Sequence, residues 1–221
     1  MNILLVYHLR LGDIARCLPI AKYFSDRGNN VYFECNPEYH GLFAMVDYCR
    51  PTAPWADRAA FDRVIDLQIW PDKFQAYNES EKDWGDFVYS LFPEGQEIDR
   101  QIVLHSPAII TPPEIKNMLI CFPTGYSQRN KIEPRTVVFA AHMVAEGKPV
   151  LCVGKKEHRL TEFGSIEYMC AYIRDAGDVF TINTSASILA SAFRKRWWHV
   201  CECPKDDFFH PNQIRIAQDA V

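Results

Sequence analysis

Short runs of apolar residues alternate along the chain with longer amphipathic stretches, and this alternation predicts the secondary structure. The runs are rich in Val, Ile, Leu and Phe, as is typical of strands buried on both faces. The predicted strands are Asn2–Tyr7, Val31–Cys35, Arg63–Leu67, Gln101–Leu104, Met118–Phe122, Val150–Val153, Val179–Ile182 and Trp198–Cys201. The predicted helices are Ile14–Arg27, Tyr39–Val46, Asp72–Leu91, Pro134–Glu146, Glu157–Arg174 and Ala186–Phe193, with a last helix from Pro211 to the C-terminus. Strands that alternate with helices predict an α/β fold with parallel sheets covered on both faces.

Three prolines interrupt this pattern in the middle of the chain, at Pro107, Pro112 and Pro113, and the pattern then restarts with a strand. The simplest interpretation is two βα-rich domains, residues 1–113 and residues 114–221. A single doubly wound sheet of the same length is the alternative.

Composition is that of a globular protein and excludes several classes. The chain has 221 residues, of which 48% are hydrophobic and 24% charged, and its eight cysteines include no C-x-x-C pair. No apolar run reaches the roughly 20 residues that span a bilayer, and the N-terminus lacks the features of a signal peptide. We therefore expect a cytoplasmic protein with buried free thiols and no transmembrane segment.

Charge is distributed unevenly between the two halves. Residues 1–113 hold 10 Lys and Arg against 16 Asp and Glu, whereas residues 114–221 hold 14 against 12. This asymmetry argues against nucleic-acid binding over the whole surface, and it leaves room for a local phosphate site in the second half.

The turn after the first predicted strand concentrates polar side chains, because His8, Arg10 and Asp13 occur there together with Gly12. In an open parallel sheet, ligands gather at the carboxyl ends of the strands, where such turns lie. Gly12 permits a positive φ, and Pro19 indicates that the helix begins near residue 18 or is kinked there. Asp13 is then either an ordinary helix N-cap or a carboxylate presented to a ligand.

Three polar segments of the second half each follow a predicted strand and suit an anionic ligand. They offer hydroxyls, cations for phosphate oxygens, and a helix N-terminus at which small residues let a diphosphate approach. The residues that supply these groups are Thr124, Gly125, Ser127, Arg129, Lys131, Asn183, Thr184, Ser185 and Ser187, and Glu157 lies in the middle segment. On the residues alone, a solvated loop explains the first segment equally well, and a solvated face is the usual explanation of the charges around Glu157. A plain Ser/Thr helix cap explains Thr184 or Ser185, but not the whole polar run.

The segment "VYHLRLGDIARCLPIAKYF" resembles the N-terminal signature of the ADP-heptose:lipopolysaccharide heptosyltransferases, a glycosyltransferase family 9-like group. Later segments follow in the same order: "ICFPTGYSQRNKIEP", "VLCVGKKEHRL" and "DVFTINTSASILASAF". The resemblance implies a compact, shortened GT-B architecture, in which two Rossmann-like domains face a cleft. It further implies that Asp13 is the catalytic base, that His8, Arg10 and Gly12 lie on the acceptor side, and that the second domain binds a nucleoside-diphosphate sugar.

Departures from the family pattern occur in the last segment. Asn183 stands where the family has aspartate, Ser185 where it has glycine, and Ile188 where it has histidine. The last change removes a polar ligand contact. The substitutions make heptose specificity an open question and favour, as an alternative, a non-catalytic sugar-nucleotide-binding module.

The resulting hypothesis is an inverting, metal-independent glycosyltransferase that uses a nucleoside-diphosphate sugar as co-substrate and no cofactor. The histidines show no H-E-x-x-H spacing, so the sequence predicts no metal site. No G-x-G-x-x-G follows a strand, which ranks a flavodoxin-like or dehydrogenase-type cofactor protein last. The acceptor is a carbohydrate or another hydroxyl. A hydroxymethylated DNA base is an alternative acceptor, because "FRKRWWHV" combines cations with tryptophans that can stack on bases.

Overall fold

The computed structural model describes residues 1–124, 132–154, 162–182, 184–201 and 213–217. The chain forms two compact units, Met1–His105 and Ser106–Val221. The boundary predicted between residues 113 and 114 lies within the second of these units. Among the described residues, no helix combines the length and the apolar character that a membrane crossing needs.

The first unit is built on a parallel sheet whose strand order is β3-β2-β1-β4. The strands are β1 (Asn2–Val6), β2 (Asn30–Glu34), β3 (Arg50–Thr52) and β4 (Arg63–Asp66). Residues 3–6 of the central strand are fully buried, which explains why this run is apolar without alternation. The short strand β3 is absent from the sequence prediction, because "RPT" carries no apolar run.

The helices of the first unit differ from the prediction in their limits. They are α1 (Leu11–Ser25), α2 (Phe74–Glu79) and α3 (Trp84–Tyr89), with a 3-10 helix at Pro37–Met45. Helix α1 begins well before residue 18 and contains Pro19, so the late start predicted from that proline is wrong. The single long helix predicted for Asp72–Leu91 is also wrong, because Asp83 caps a second helix there by accepting a hydrogen bond from the Asp86 amide at 2.6 Å.

The second unit contains a parallel sheet with the order β6-β5-β7-β8-β9. The strands are β5 (Leu119–Phe122), β6 (Val150–Cys152), β7 (Asp178–Ile182), β8 (Trp197–Cys201) and β9 (Gln213–Ala217). The helices are α4 (Pro134–Val144), α5 (Ile166–Asp175) and α6 (Ser185–Ala192). Val137 and Ala141 of α4 pack against Leu119 and Phe180 in one hydrophobic core.

Two further predictions about elements are wrong. Residues 101–104 form no strand. The segment is instead hydrogen-bonded through the Val103 carbonyl, which accepts from the Tyr48 hydroxyl at 2.8 Å. Part of the predicted C-terminal helix is the strand β9, which pairs in parallel with β8. The α/β fold class with two parallel sheets is confirmed.

Candidate functional site

The turn between β1 and α1 places its polar groups at the carboxyl edge of the first sheet. Arg10 is the N-cap residue of α1, with φ 66° and no side-chain capping bond. The left-handed residue of the turn is therefore Arg10; Gly12, whose freedom to adopt a positive φ was noted from the sequence, already lies inside the first helical turn. Asp13 also lies inside that turn. The interpretation of Asp13 as the N-cap is wrong.

Asp13 receives a hydrogen bond from a buried neighbour. The Tyr7 hydroxyl donates to Asp13 Oδ2 at 2.9 Å, and Tyr7 is 7% exposed. Burial, and next the charge of the Asp13 carboxylate, raise the pKa of Tyr7 far above its ordinary value, so the hydroxyl stays a proton donor. The Tyr7 ring is in turn held edge-on by Trp84, at 6.0 Å between centroids. The hydrogen bond from Tyr7 therefore fixes the position of the Asp13 carboxylate at the end of β1.

His8 is paired with a carboxylate that the sequence reading missed. Glu34, at the end of β2, is fully buried, and its Oε1 lies 2.6 Å from His8 Nε2. Arg58 Nη2 approaches the same oxygen at 3.4 Å. The Trp55 ring lies 6.2 Å from the His8 ring. The one signal in the sequence was the acidic end of an apolar strand, "VYFE".

In the second unit, the turn from β7 into α6 is closed by hydroxyl groups. Thr184 is the N-cap, and its Oγ1 accepts from the Ala186 amide at 3.2 Å. Ser187 is buried, and its hydroxyl donates to the Thr184 carbonyl at 2.6 Å. Ser185 opens the helix and is partly exposed. The cap predicted for this segment is present, and the N-terminus of α6 lies at the carboxyl edge of the sheet.

Most of the other predicted donor-side residues lie outside the part of the chain that the structure describes. Thr124 is partly exposed just after β5. Six predicted residues lie outside the described residues: Gly125, Ser127, Arg129, Lys131, Glu157 and Asn183.

An aromatic cavity between β6 and α5 escaped the sequence reading. Its volume is about 300 Å³, and it is lined by Leu151, Glu162, Phe163, Gly164, Tyr168 and Tyr172. The Phe163 ring lies 4.8 Å from the Tyr172 ring and 6.4 Å from Phe122 at the carboxyl end of β5.

The segment "FRKRWWHV" does not present its tryptophans as a stacking surface. Trp197 is completely buried. The Arg196 guanidinium donates to both carboxylate oxygens of Asp178, at 2.6 and 2.9 Å. The DNA-contacting interpretation of this segment is therefore wrong for Trp197, and Arg196 is held by an intramolecular ion pair.

No protein-family model and no curated protein sequence matches the chain. Solved structures do. The E. coli heptosyltransferase WaaC with ADP matches with a TM-score of 0.70 and 14% identity, over 100% of this chain and 94% of that chain. The E. coli ADP-heptose lps heptosyltransferase II matches with a TM-score of 0.68 and 10% identity, over 98% and 90%.

The iron-containing dodecameric glycosyltransferase TibC from enterotoxigenic E. coli matches with a TM-score of 0.66 and 15% identity, and this chain spans 63% of its length. In the part of the present chain that the structure describes, no three His, Cys, Asp or Glu side chains are grouped so that they could hold a metal ion. All three comparisons agree on the architecture. The chain has the heptosyltransferase-like fold that its motifs predicted.

Proposed function

We propose that the chain is a glycosyltransferase that transfers a sugar from a nucleoside-diphosphate sugar to a hydroxyl group of a carbohydrate acceptor. The position of Asp13 carries the proposal. Asp13 lies in the first turn of α1, where Arg10 is the N-cap residue, and its carboxylate accepts a hydrogen bond from a buried tyrosine. The heptosyltransferase-like fold supports the reaction class.

In the proposed mechanism, Asp13 is the general base of an inverting transfer. It accepts the proton of the acceptor hydroxyl while that oxygen attacks the anomeric carbon. The bond from this carbon to the diphosphate oxygen breaks, the nucleoside diphosphate leaves with the electron pair, and the anomeric configuration inverts. Tyr7 favours the charged carboxylate that such a base requires. The scheme uses no metal, because protein cations and amides neutralise the leaving group.

We assign the donor to the second unit. The positive end of the α6 dipole, next to Thr184 and Ser185, suits a diphosphate. The aromatic cavity beside Phe163 suits the flat base of the nucleotide. From the resemblance, we assign the remaining donor contacts to six residues outside the described part of the chain: Gly125, Ser127, Arg129, Lys131, Glu157 and Asn183.

We assign the acceptor to the first unit, with His8, Arg10 and Gly12 on the same turn as the base. A carbohydrate is the acceptor class that the comparisons favour, since one matching protein is described as an lps heptosyltransferase. Nothing supports the hydroxymethylated DNA base, and the buried Trp197 removes its main argument.

The test is the release of nucleoside diphosphate from a panel of nucleotide sugars that includes ADP-heptose, with and without oligosaccharide acceptors. Asp13→Asn should lower turnover by about 10²–10⁴-fold, and it should leave donor binding, measured by thermal shift, unchanged. Asp26→Asn is the matched control, because Asp26 lies at the exposed C-terminal end of the same helix and pairs only with Lys22 in the described structure.

Near-wild-type turnover of Asp13→Asn would refute the assignment of the base. Donor binding by the wild type without turnover on any acceptor would instead support the rival function, a sugar-nucleotide-binding module.

A further inference from the structure

Trp55 keeps a large apolar ring in solvent beside the candidate site. Its side chain is 86% exposed, although burying an indole is strongly favourable. Its backbone has φ 70°, a left-handed conformation that a bulky side chain adopts only under constraint. It follows β3, so it lies at the same edge of the sheet as the β1–α1 turn. Folding alone gives no reason for a ring to be held in this way.

The His8 ring beside Trp55 belongs to a polar group in which one buried oxygen has no partner in the described structure. Glu34 bonds His8 through Oε1 at 2.6 Å, while its Oε2 is buried and has no hydrogen-bond partner in the described structure. A buried carboxylate is costly unless it is fully paired. The Glu34 carboxylate is hydrogen-bonded to one nitrogen of the His8 ring and to one nitrogen of the Arg58 guanidinium. The His8 and Arg58 side chains are 17% and 46% exposed, so both are partly accessible to a ligand.

We propose that Trp55, His8 and Arg58 form a subsite for one sugar ring of the acceptor, with Glu34 as the positioning residue. The inference rests on the proposed function and names the chemistry of its acceptor. A pyranose has an apolar C–H face that packs on an indole, and it has hydroxyls at its edge that bond to imidazole and guanidinium groups. Trp55 supplies the apolar surface, and His8 and Arg58 supply the polar groups. The Trp55 and His8 rings lie 6.2 Å apart.

The subsite is connected to the proposed base through the backbone. His8 and Asp13 leave the carboxyl end of the same strand within one turn, and β1 lies next to β2 and then β3 in the sheet. A sugar seated on Trp55 and His8 therefore lies along the edge from which Asp13 projects. This arrangement makes the subsite part of acceptor recognition and leaves the donor to the other unit.

Binding of delipidated lipopolysaccharide core oligosaccharide, measured by titration calorimetry, tests the subsite directly. Trp55→Ala should weaken binding about tenfold, and Trp55→Phe should retain most of it. Trp70→Ala is the matched control, because Trp70 is also exposed, at 59%, and its ring packs on Phe74. The control should bind like the wild type.

Equal losses for Trp55→Ala and Trp70→Ala would overturn the proposal, as would absence of oligosaccharide binding by the wild type. Trp55-dependent binding of ADP would also overturn the proposal, because it would show that this surface binds a nucleotide and not a sugar. In the transfer assay, Trp55→Ala should raise the acceptor KM and leave the KM for the donor unchanged. If no nucleotide sugar turns over, the proposed function fails, while the calorimetric result still decides whether this surface binds a sugar.

The positioning role of Glu34 has its own readout. Glu34→Gln keeps an oxygen for His8 and should retain oligosaccharide binding within about threefold, whereas Glu34→Leu removes it and should weaken binding about tenfold. Both variants must keep the wild-type far-ultraviolet circular dichroism. Full binding by a folded Glu34→Leu variant would show that Glu34 does not position His8.

Discussion

Asp178 offers the sharpest test of the forces that hold the second unit together. The residue opens β7, and its carboxylate is 5% exposed. It accepts two hydrogen bonds from Arg196, at 2.6 and 2.9 Å, and another from Lys148. Replacing Asp178 by Asn keeps the size of the side chain and one acceptor oxygen, but it removes the charge that both cations face.

The expected loss follows from burial and exposure together. Hydrogen bonds to charged groups contribute about 1.5–3 kcal/mol each when they are buried. The two cations are 52% and 37% exposed, and solvent screening reduces such pairs to about 1 kcal/mol each. Asp178→Asn should therefore lower the free energy of unfolding by about 2 kcal/mol, or the melting temperature by roughly 5–10 °C.

The pH dependence separates charge from shape. Burial acts to raise the pKa of Asp178, but the hydrogen bonds from Arg196 and Lys148 outweigh it, so the pKa lies below its ordinary value. A lowered folded-state pKa adds stability above about pH 4, the unfolded value, and this stability is lost as the pH falls through the folded value. The difference between the wild type and Asp178→Asn should shrink in acid.

Thermal unfolding at pH 7 and pH 3, followed by the fluorescence of the buried tryptophan of β8, measures this difference. Glu114→Gln is the control, since Glu114 is an exposed carboxylate in the same unit. Equal melting temperatures for Asp178→Asn and the control at pH 7 would contradict the argument. So would a difference of the same size at both pH values.

Three other substitutions probe the packing of the two units. Gly95→Ala should lower the free energy of unfolding by about 3 kcal/mol in urea titrations, because the new Cβ would lie 1.6 Å from the Tyr89 carbonyl oxygen. Gly28→Ala should lower it by only about 1 kcal/mol, because the site has open space and only the φ of 80° is unfavourable for alanine. Arg174→Ala should expose residues 106–111 to limited proteolysis, because the guanidinium donates to the carbonyls of residues 107 and 109 at 2.7 and 3.1 Å. Unchanged urea midpoints or digestion patterns would refute these expectations.

The sheets could be predicted because their strands are buried on both faces. The run Ile3–Val6 is uniformly apolar, and burial of this kind leaves a local signature in the sequence. The strand β9 was mistaken for a helix, although Ile214 and Ile216 alternate with polar residues as a strand requires. Gln101–Leu104 has the composition of a strand but no ladder partner, and pairing is a long-range property that composition does not record.

The candidate site was predictable only where its residues are close in sequence. The turn after β1 was recognised because His8, Arg10 and Asp13 are neighbours along the chain. The partner of His8 was not, because Glu34 is separated from it by a helix and a strand, and the sheet alone brings the two together. The hydrogen bond between Tyr7 and Asp13 spans a turn in which Arg10 has a left-handed backbone. A sequence pattern assigns such a conformation to glycine and not to arginine.

Two buried carboxylates, Asp178 and Glu34, differ in whether the protein itself satisfies their hydrogen-bonding oxygens. Asp178 lies at the amino end of its strand and accepts hydrogen bonds at both oxygens, so its burial is compensated within the protein. Glu34 lies at the carboxyl end of its strand with one oxygen unsatisfied in the described structure, and its two partners, His8 and Arg58, are partly exposed. A protein selected for stability alone would lose by keeping Glu34, since an apolar residue of similar size would pack there without a desolvation cost. The presence of Glu34 is explained if a ligand completes the polar group of His8, Arg58 and Glu34, so stability and acceptor binding should respond oppositely to Glu34→Leu.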